Sequence, residues 1–434
     1  MKEVSFFFGD SIAKEGLSII KERLRVEIKT MERALAGNSP DGRAFASLPF
    51  AAEMPDLVKK LVKEKQALKP EYVVLIGIGG SSLGASAVEQ AVAGNRKGPK
   101  LLYADTIDQF SVRAVMGTME DSLKRKSAVI LNCVSKSGRT IETVANFQIL
   151  LQLLKKYRKD YARCVVVTTD KGSQLWHAAL SQGFSVMEIP ANVGGRYSVL
   201  SPAGLFPLAM AGVDICVLAD GAAAMAKRCV DRSIDANPAA MSAAVLYHHY
   251  QNGRKIHDTF LFSPAFEELG KWYRQLMAES AGKDLDRNGK KINAGMTPTV
   301  SLPQDLHSMA QLYLGGPHDK FTTFVKSQDN GPATKVAMMK DFSGLSENIQ
   351  GKSLSEITNA LYSGITAAYR KGKRPFSEMV LPDRSAQSIG QFLQMKMMET
   401  VYLCYLMSVN PFDQPAVESY KSEARRMLGS KKVQ

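Results

Sequence analysis

Residues 72–84 read YVVLIGIGGSSLG, an apolar run that ends in a cluster of glycines and serines. The run from Tyr72 to Ile76 predicts a fully buried strand, and the small residues from Leu83 to Ala93 predict a helix after it. Glycines in the turn permit a close approach of the backbone, and the first N–H groups of the helix have no partner within it. The stretch predicts an α/β fold with room for a phosphate here, although a purely structural turn explains it equally well.

The same alternation of short apolar runs and helices continues along the chain in two series. The first series predicts strands at residues 101–104, 128–134 and 164–168, and helices at 140–156 and around Leu175. The second series predicts strands at 257–263 and 321–325, and helices at 266–280, 355–370 and 388–407. Such alternation is typical of βαβ units and parallel sheets. The Ala-rich segment 213–237 separates the two series, and the first sixty or so residues look helical and polar.

The composition narrows the classes of partner. The chain has 434 residues, with 56 Lys and Arg against 42 Asp and Glu, a net charge of +14 and a pI near 9.4. This excess indicates an anionic partner, which is nucleic acid, a membrane surface or a phosphorylated small molecule. No apolar run is long enough for a membrane span, and the first residues lack the apolar core of a signal peptide. The five cysteines form no Cys-x-x-Cys pair, so we expect a reducing cytoplasm rather than a disulfide or zinc framework.

A second candidate anion site follows the predicted strand 128–134. Residues 135–140 read SKSGRT and supply three hydroxyls, a glycine and the cation Lys136. Hydroxyls and helix N–H groups can hold phosphate oxygens, while capping the following helix would need only one such residue. The two turns follow strands of one predicted parallel sheet, and ligands bind at the carboxyl edge of such sheets. Since no Gly-Lys-Ser/Thr loop is present, a small phosphorylated molecule is favoured over a nucleotide triphosphate.

The residues alone leave two other classes of function possible, a nicotinamide dehydrogenase and a nucleic-acid-binding protein. Gly77, Gly79 and Asp105 imitate part of a dinucleotide site, but Ser82 stands where the third glycine is needed. A nicotinamide dehydrogenase of this kind does not account for the 135–140 turn. Basic runs at 124–126, 155–159 and 370–374 suggest nucleic-acid binding, yet they have little aromatic interleaving and are typical of solvated surface.

Six motifs, in order along the chain, resemble the glucose-6-phosphate isomerase family, in particular its shorter bacterial form. They are IGIGGSSLG at 76–84, SKSGRTIET at 135–143, GGRYSVLS at 194–201, ESAGK at 279–283, QDLHS at 304–308 and FDQPAVESYK at 412–421. The resemblance implies an α/β protein of two sugar-isomerase (SIS) domains, doubly wound with parallel sheets flanked by helices, plus helical ends. We expect a helical segment at 1–45, a first SIS domain at 46–225, and a second SIS domain with a helical tail at 226–434.

The resemblance also implies an activity and a setting. The expected reaction is the reversible isomerisation of D-glucose 6-phosphate to D-fructose 6-phosphate through a cis-enediolate, in glycolysis and gluconeogenesis. We expect a cytoplasmic homodimer that uses no metal or cofactor and binds neither nucleic acid nor membrane. A non-catalytic sugar-phosphate regulator of the same domain type would lack the reacting groups, whereas this chain has a candidate for each.

The family match assigns four catalytic residues. Glu279 is the base that moves the proton between C2 and C1, and Arg196 stabilises the negative charge of the enediolate. His307 opens the sugar ring, reaching the site from the partner subunit, and Lys421 helps it. The expected substrate-binding residues are Gly80, Ser81, Ser135, Lys136, Ser137, Thr140, Gly195, Gln275 and Gln414.

Four features depart from the family pattern. Ala281 stands where the family often has Asn, and Pro415-Ala416 replaces the more usual step to glycine. Arg139 adds a charge to the second turn, and residues 300–305 lack a glycine–threonine approach to the histidine. None removes a chemical group that the mechanism needs, so the expected reaction type is unchanged.

Overall fold

The described part of the chain contains twelve strands, fifteen α-helices and six short 3₁₀ helices. The structure is a computed structural model that describes residues 2–9, 14–39, 41–92, 94, 97–329, 331–342 and 344–429. The strands are β1 Ser5–Phe7, β2 Pro70–Ile76, β3 Lys100–Ala104, β4 Ala128–Val134, β5 Val165–Thr169, β6 Ser185–Glu188, β7 Ile256–Leu261, β8 Lys283–Leu285, β9 Lys291–Ala294, β10 Thr297–Ser301, β11 Lys320–Ser327 and β12 Phe376–Leu381.

The α-helices lie between these strands, and α14 and α15 follow the last strand. They are α1 Lys14–Leu35, α2 Glu53–Gln66, α3 Leu83–Ala91, α4 Gln109–Lys124, α5 Ile141–Tyr157, α6 Gln174–Ser181, α7 Pro202–Met210, α8 Ile215–Arg228, α9 Pro238–Gln251, α10 Glu267–Ala281, α11 Asp305–Ser308, α12 Ala310–Gly315, α13 Leu354–Lys371, α14 Ala386–Leu406 and α15 Val417–Gly429. Among the described residues, none of these helices combines the length and apolarity that crossing a membrane would require.

The first sheet is parallel throughout, as predicted. Its strand order is β3-β2-β4-β5-β6, and helices α4, α5 and α7 pack against it. Every residue of β4 is buried, which explains why an uninterrupted apolar run marks it in the sequence. Because β2 and β4 are neighbours, the turns that follow them leave the same edge of the sheet side by side.

The second sheet combines a parallel core with one antiparallel edge strand. Its order is β1-β12-β11-β7-β10, in which β1 runs antiparallel to β12 and the other pairs are parallel. Strands β1, β10 and β12 lie outside the predicted elements, whereas β7 and β11 lie within two residues of their predicted ends. The α/β class with helix-flanked parallel sheets is confirmed, and the domain boundaries at residues 45 and 225 stay predictions.

Long helices join the two sheets through a tightly packed core. Helix α14 packs on α8, α9 and α10, and very small residues allow its backbone to approach α8. A Cβ atom on Gly390 would lie 2.0 Å from the Leu218 carbonyl oxygen, and one on Gly221 would lie 2.1 Å from that of Gln387. Helix α10 contacts α3 from the first series, and Gln275 in its C-terminal half lies against Gly79 in the turn after β2.

Candidate functional site

The two glycine-rich segments predicted to approach the substrate contact each other. A Cβ atom on Gly80 would lie 2.3 Å from the carbonyl carbon of Gly195, and Ser198 Oγ donates to the Gly80 carbonyl at 3.4 Å. Gly79 has φ +59°, and a Cβ atom there would lie 2.7 Å from Gln275 Nε2. Glycine is therefore needed at both positions, once for a close backbone approach and once for a left-handed conformation.

The turn at residues 135–140 directs its hydroxyls into the turn itself. Ser135 is buried, and its Oγ lies 3.3 Å from Thr140 Oγ1. Thr140 occupies the N-cap position of α5 but its side chain makes no capping hydrogen bond. Ser137 Oγ accepts from the Arg139 amide at 3.3 Å. The hydroxyls of Ser135 and Thr140 thus lie together at the start of α5, where the first N–H groups of a helix suit an anion, while Ser137 is exposed.

Lys136 connects this turn to the segment before Gly194. Its Nζ donates to the carbonyls of Ala191 at 2.6 Å and Val193 at 2.8 Å. Burial lowers the pKa of the Lys136 ammonium, and the charge of Asp170 opposes that shift. The positive charge of Lys136 therefore lies between the 135–140 turn and the segment 191–193.

Arg196 lies at the centre of the site, and every N–H donor of its guanidinium has a hydrogen-bond acceptor. It lies in the 3₁₀ helix Gly195–Leu200, and its side chain is 4% exposed. Its Nη1 lies 3.2 Å from Glu279 Oε2 and donates to Gln414 Oε1 at 2.6 Å. A guanidinium has five N–H donors. The remaining ones go to the Ser280 hydroxyl at 2.8 Å and to the backbone carbonyls of Pro411 at 2.6 Å and Asp413 at 3.1 Å.

Glu279 occupies the last turn of α10, within reach of solvent. Its side chain is 32% exposed, in contrast to that of Arg196. Gln275, one turn earlier on the helix, donates from Nε2 to Glu279 Oε1 at 3.0 Å. Residues four apart share a helix face, which explains this pairing. The structure thus brings Glu279, Gln275, Arg196 and Gln414 into one hydrogen-bonded cluster.

Two predicted catalytic residues are not part of this cluster. His307 lies on the short helix α11 and is exposed. Lys421 lies on α15, where its Nζ donates to Glu418 Oε1 at 2.9 Å. Within the described ranges, neither makes a hydrogen bond or ion pair to Glu279 or Arg196.

Three residues that support the cluster lie inside the sequence motifs, but the sequence assigned them no role. Ser280 bonds both Arg196 and the Tyr197 hydroxyl, the latter at 3.0 Å. Lys283 donates to the carbonyls of Glu279 and Ser280, and Asp413 supplies a carbonyl to Arg196. Their position within ESAGK and beside Gln414 was the only sequence signal. In the described residues, no group of three His, Cys, Asp or Glu side chains is arranged to hold a metal ion.

Comparisons with known proteins agree with the six motifs. A sequence model of the family described as phosphoglucose isomerase matches residues 61–433. A glucose-6-phosphate isomerase from Carboxydothermus hydrogenoformans is 32% identical over 401 residues, which is 89% of this chain and 84% of that protein.

Solved structures share the whole fold. The crystal structure of a hypothetical protein from Thermus thermophilus superposes with a TM-score of 0.87 at 29% identity, covering 99% of this chain and 100% of that one. A glucose-6-phosphate isomerase from Chlamydia trachomatis has the same fold, with a TM-score of 0.82 at 21% identity, covering 98% of this chain and 88% of that one. Because the family model spans most of the sequence and a relative above 30% identity aligns over most of it, the chain belongs to the phosphoglucose isomerase family.

Proposed function

We propose that Glu279 is the base in the reversible isomerisation of D-glucose 6-phosphate to D-fructose 6-phosphate, the aldose–ketose reaction of glycolysis and gluconeogenesis that membership of this family gives the chain. The observation that carries the assignment is the contact of Glu279 Oε2 with Arg196 Nη1 at 3.2 Å. A carboxylate that is partly exposed can reach a substrate, and one base can serve both C2 and C1 through a cis-enediolate. Gln275 holds the other carboxylate oxygen and so orients it.

Arg196 is proposed to stabilise the enediolate oxygen. A fixed cation beside the base lies where negative charge develops, and a developing oxyanion would take over a donor that Glu279 or Gln414 holds on Nη1. The hydrogen bonds of Arg196 to Ser280 and to the backbone of Pro411 and Asp413 keep its guanidinium in place. Gln414 accepts a hydrogen bond from Arg196 Nη1, the nitrogen that also contacts Glu279. We propose that Gln414 contacts the sugar.

The phosphate group is proposed to bind at the two turns beside the Arg196 loop. The close contact of Gly80 with Gly195 and the clustered hydroxyls of Ser135 and Thr140 support this placement. The full proposed set is Gly80, Ser81, Ser135, Lys136, Ser137, Thr140 and Gly195. Backbone N–H groups and hydroxyls bind the oxygens, and Lys136 partly neutralises the charge.

Ring opening is proposed to require a second copy of the chain. His307 is exposed and makes no hydrogen bond or ion pair with the Glu279–Arg196 cluster in the described ranges, so we propose that it completes the site of a partner in a homodimer. Lys421, whose match to the family motif supports the assignment, is proposed to assist ring opening. We also propose that the enzyme works in the cytoplasm without a cofactor and that its domains divide near residues 45 and 225.

The test is a direct assay of the purified protein. Fructose 6-phosphate is supplied, and glucose 6-phosphate is followed through a coupled dehydrogenase. Glu279→Gln should abolish turnover while sugar phosphate still binds. Glu267→Gln, which alters an acid on the first turn of the same helix, should keep full activity. Binding without turnover by the unaltered protein would indicate a regulator, and turnover by Glu279→Gln would refute the assignment of the base.

A further inference from the structure

The ammonium group of Lys283 occupies a buried position between the two segments that form the Glu279–Arg196 pair. Its side chain is only 6% exposed. Lys283 Nζ donates to the Glu279 carbonyl at 2.6 Å and to the Ser280 carbonyl at 2.9 Å. The same Nζ lies 3.7 Å from Asp413 Oδ1. One cation thus has three oxygen partners from the helix that carries the base and from the loop that follows α14.

The first two contacts fix the end of α10. The last carbonyls of a helix have no partner within it, and a helix C-terminus favours a nearby positive charge. Lys283 follows the C-cap residue Gly282 and folds back to satisfy two of these carbonyls. One of them belongs to Glu279, so the ammonium holds the backbone from which the carboxylate projects.

The third contact reaches the loop that holds Arg196. Asp413, the ion-pair partner of Lys283, accepts from Arg196 Nη2 through its backbone carbonyl at 3.1 Å. The next residue, Gln414, accepts from Arg196 Nη1 at 2.6 Å. Displacement of Asp413 would therefore move two acceptors of the guanidinium at once.

We propose that Lys283 is a positioning residue for proton transfer, whose ammonium group fixes the distance between Glu279 and Arg196 by tying the end of α10 to the 411–414 loop. The inference rests on the proposed role of Glu279 as base. It assigns Lys283 no contact with the substrate. Its removal should slow the step that Glu279 performs and leave phosphate binding at residues 80–81 and 135–140 nearly unchanged.

The experiment removes the Lys283 side chain and then adds a small amine to the solution as a replacement for its ammonium group. Lys283→Ala should lower kcat about 10- to 100-fold, the scale expected for a small displacement of a catalytic group, with little change in KM. Lys283 also lines a cleft of about 440 Å³ together with Arg43, Arg287 and Asp413. This cleft gives n-propylammonium, which reproduces the missing part of the side chain, a route to the site. Propylammonium should restore part of kcat, whereas tetramethylammonium at equal ionic strength should not, because it has no N–H donor.

An isotope effect separates positioning from a general loss of structure. With glucose 6-phosphate deuterated at C2, Lys283→Ala should show a larger kinetic isotope effect than the unaltered enzyme, because proton abstraction becomes slower than ring opening. Lys291→Ala, on the exposed face of the neighbouring strand β9, should match the unaltered enzyme in both measurements. Unchanged kcat in Lys283→Ala, or a loss without a rise in the isotope effect or rescue by propylammonium, would overturn the proposal.

A second variant covers the case in which Lys283→Ala does not fold. Asp413→Asn keeps the ammonium group and removes its charged partner. It should give a smaller loss of kcat and a smaller rise in the isotope effect, and an unchanged isotope effect would overturn the proposal. Failure of the proposed function is recognised separately, because Glu279→Gln would then retain turnover whatever Lys283→Ala does.

Discussion

The guanidinium of Arg196 lies against the carboxylate of Glu279, with Nη1 3.2 Å from Oε2. The arginine is almost fully buried, whereas the carboxylate is a third exposed. The fixed partner of the pair is thus the cation, and the carboxylate, which is the proposed base, is accessible.

Arg196→Lys should lower kcat by about 10²–10³-fold, the loss typical of removing one group that stabilises a developing oxyanion. Lysine keeps the charge but has three donors on a flexible stem, and it cannot bond Ser280, Pro411 and Gln414 together. The coupled assay measures the loss, and thermal unfolding checks the fold. Arg274→Lys, an exposed change on α10, is the control and should leave kcat unaltered. An Arg196→Lys enzyme with full kcat would mean that charge alone suffices.

The sequence predicted those elements whose burial is continuous along the chain. Strand β4 begins and ends at the predicted residues, because all seven of its positions are buried and apolar runs mark such strands. The strand Ser5–Phe7 escaped prediction because it has three residues and its partner β12 lies more than 360 residues away. Periodicity within a short window holds no information on such a pairing.

The sequence pointed to four candidate residues that the structure brings together, but it did not predict the contacts that hold them in place. Glu279, Arg196, Gln275 and Gln414 were assigned through the family resemblance, and they do form one cluster. The supporting roles of Ser280 and Lys283 depend on tertiary contacts between segments over 80 residues apart, which no local pattern encodes. Lys136 illustrates the same limit, since its partners are backbone carbonyls at 191 and 193.

Gly80→Ala should separate the turn after β2 from the Gly195–Arg196 segment. The new Cβ atom would lie 2.3 Å from the Gly195 carbonyl carbon, a distance that real Cβ contacts do not tolerate, so the backbone of one turn must move. We expect kcat/KM to fall about 10- to 100-fold, as misplaced substrate-binding groups commonly cause. Gly117→Ala, within α4 and with nothing inside 4 Å, should instead raise stability by about 0.5–1 kcal/mol and leave kinetics alone. Normal kcat/KM in Gly80→Ala would show that the contact is dispensable.

Glu399→Gln should destabilise the helical core that joins the two sheets. Glu399 and Lys396 are fully buried on α14, with Lys396 Nζ 2.9 Å from Glu399 Oε2. Tyr273 on α10 and Ser242 on α9 also donate to the Glu399 carboxylate. Removing one partner leaves a buried charge uncompensated, at a cost of about 3–5 kcal/mol in the free energy of unfolding. Urea denaturation measures the change.

A double variant distinguishes the cost of leaving one buried charge unpaired from the cost of losing the ion pair itself. Lys396→Met combined with Glu399→Gln removes both charges and should recover much of the lost stability. Glu423→Gln, in an exposed pair with Arg426, should change stability by less than about 1 kcal/mol. A double variant no more stable than Glu399→Gln alone would indicate that the hydrogen bonds to Tyr273 and Ser242 matter more than the charge.

His249→Phe should make the protein lose less stability as the pH falls. Burial lowers the pKa of His249 to about 3, with the charges of Arg254 and His248 adding to the effect, and its ring stacks on Phe321 with centroids 4.4 Å apart. A histidine with a depressed folded pKa stabilises the fold above its unfolded pKa of about 6.5, and that stability is lost as pH falls toward 3. Below pH 6.5, the substitution should reduce the change in the free energy of unfolding by about 1.4 kcal/mol per pH unit. Urea midpoints from pH 7 to 5 test this, and the exposed His177→Phe change should leave the slope as it is.

Mixing two inactive variants tests whether the site crosses subunits. Glu279→Gln lacks the base and His307→Gln lacks the proposed ring-opening group, so each homodimer should be impaired at both of its sites. In a two-fold dimer whose sites each take Glu279 from one copy and His307 from the other, a mixed dimer has one site with both groups intact. Random reassortment makes half of the dimers mixed, so about a quarter of the normal activity should return. The two proteins are unfolded together in urea, refolded and assayed, with each variant refolded alone as the control. No gain over those controls, with mixed dimers shown by differential tagging, would place His307 in the same subunit's site or outside the site altogether.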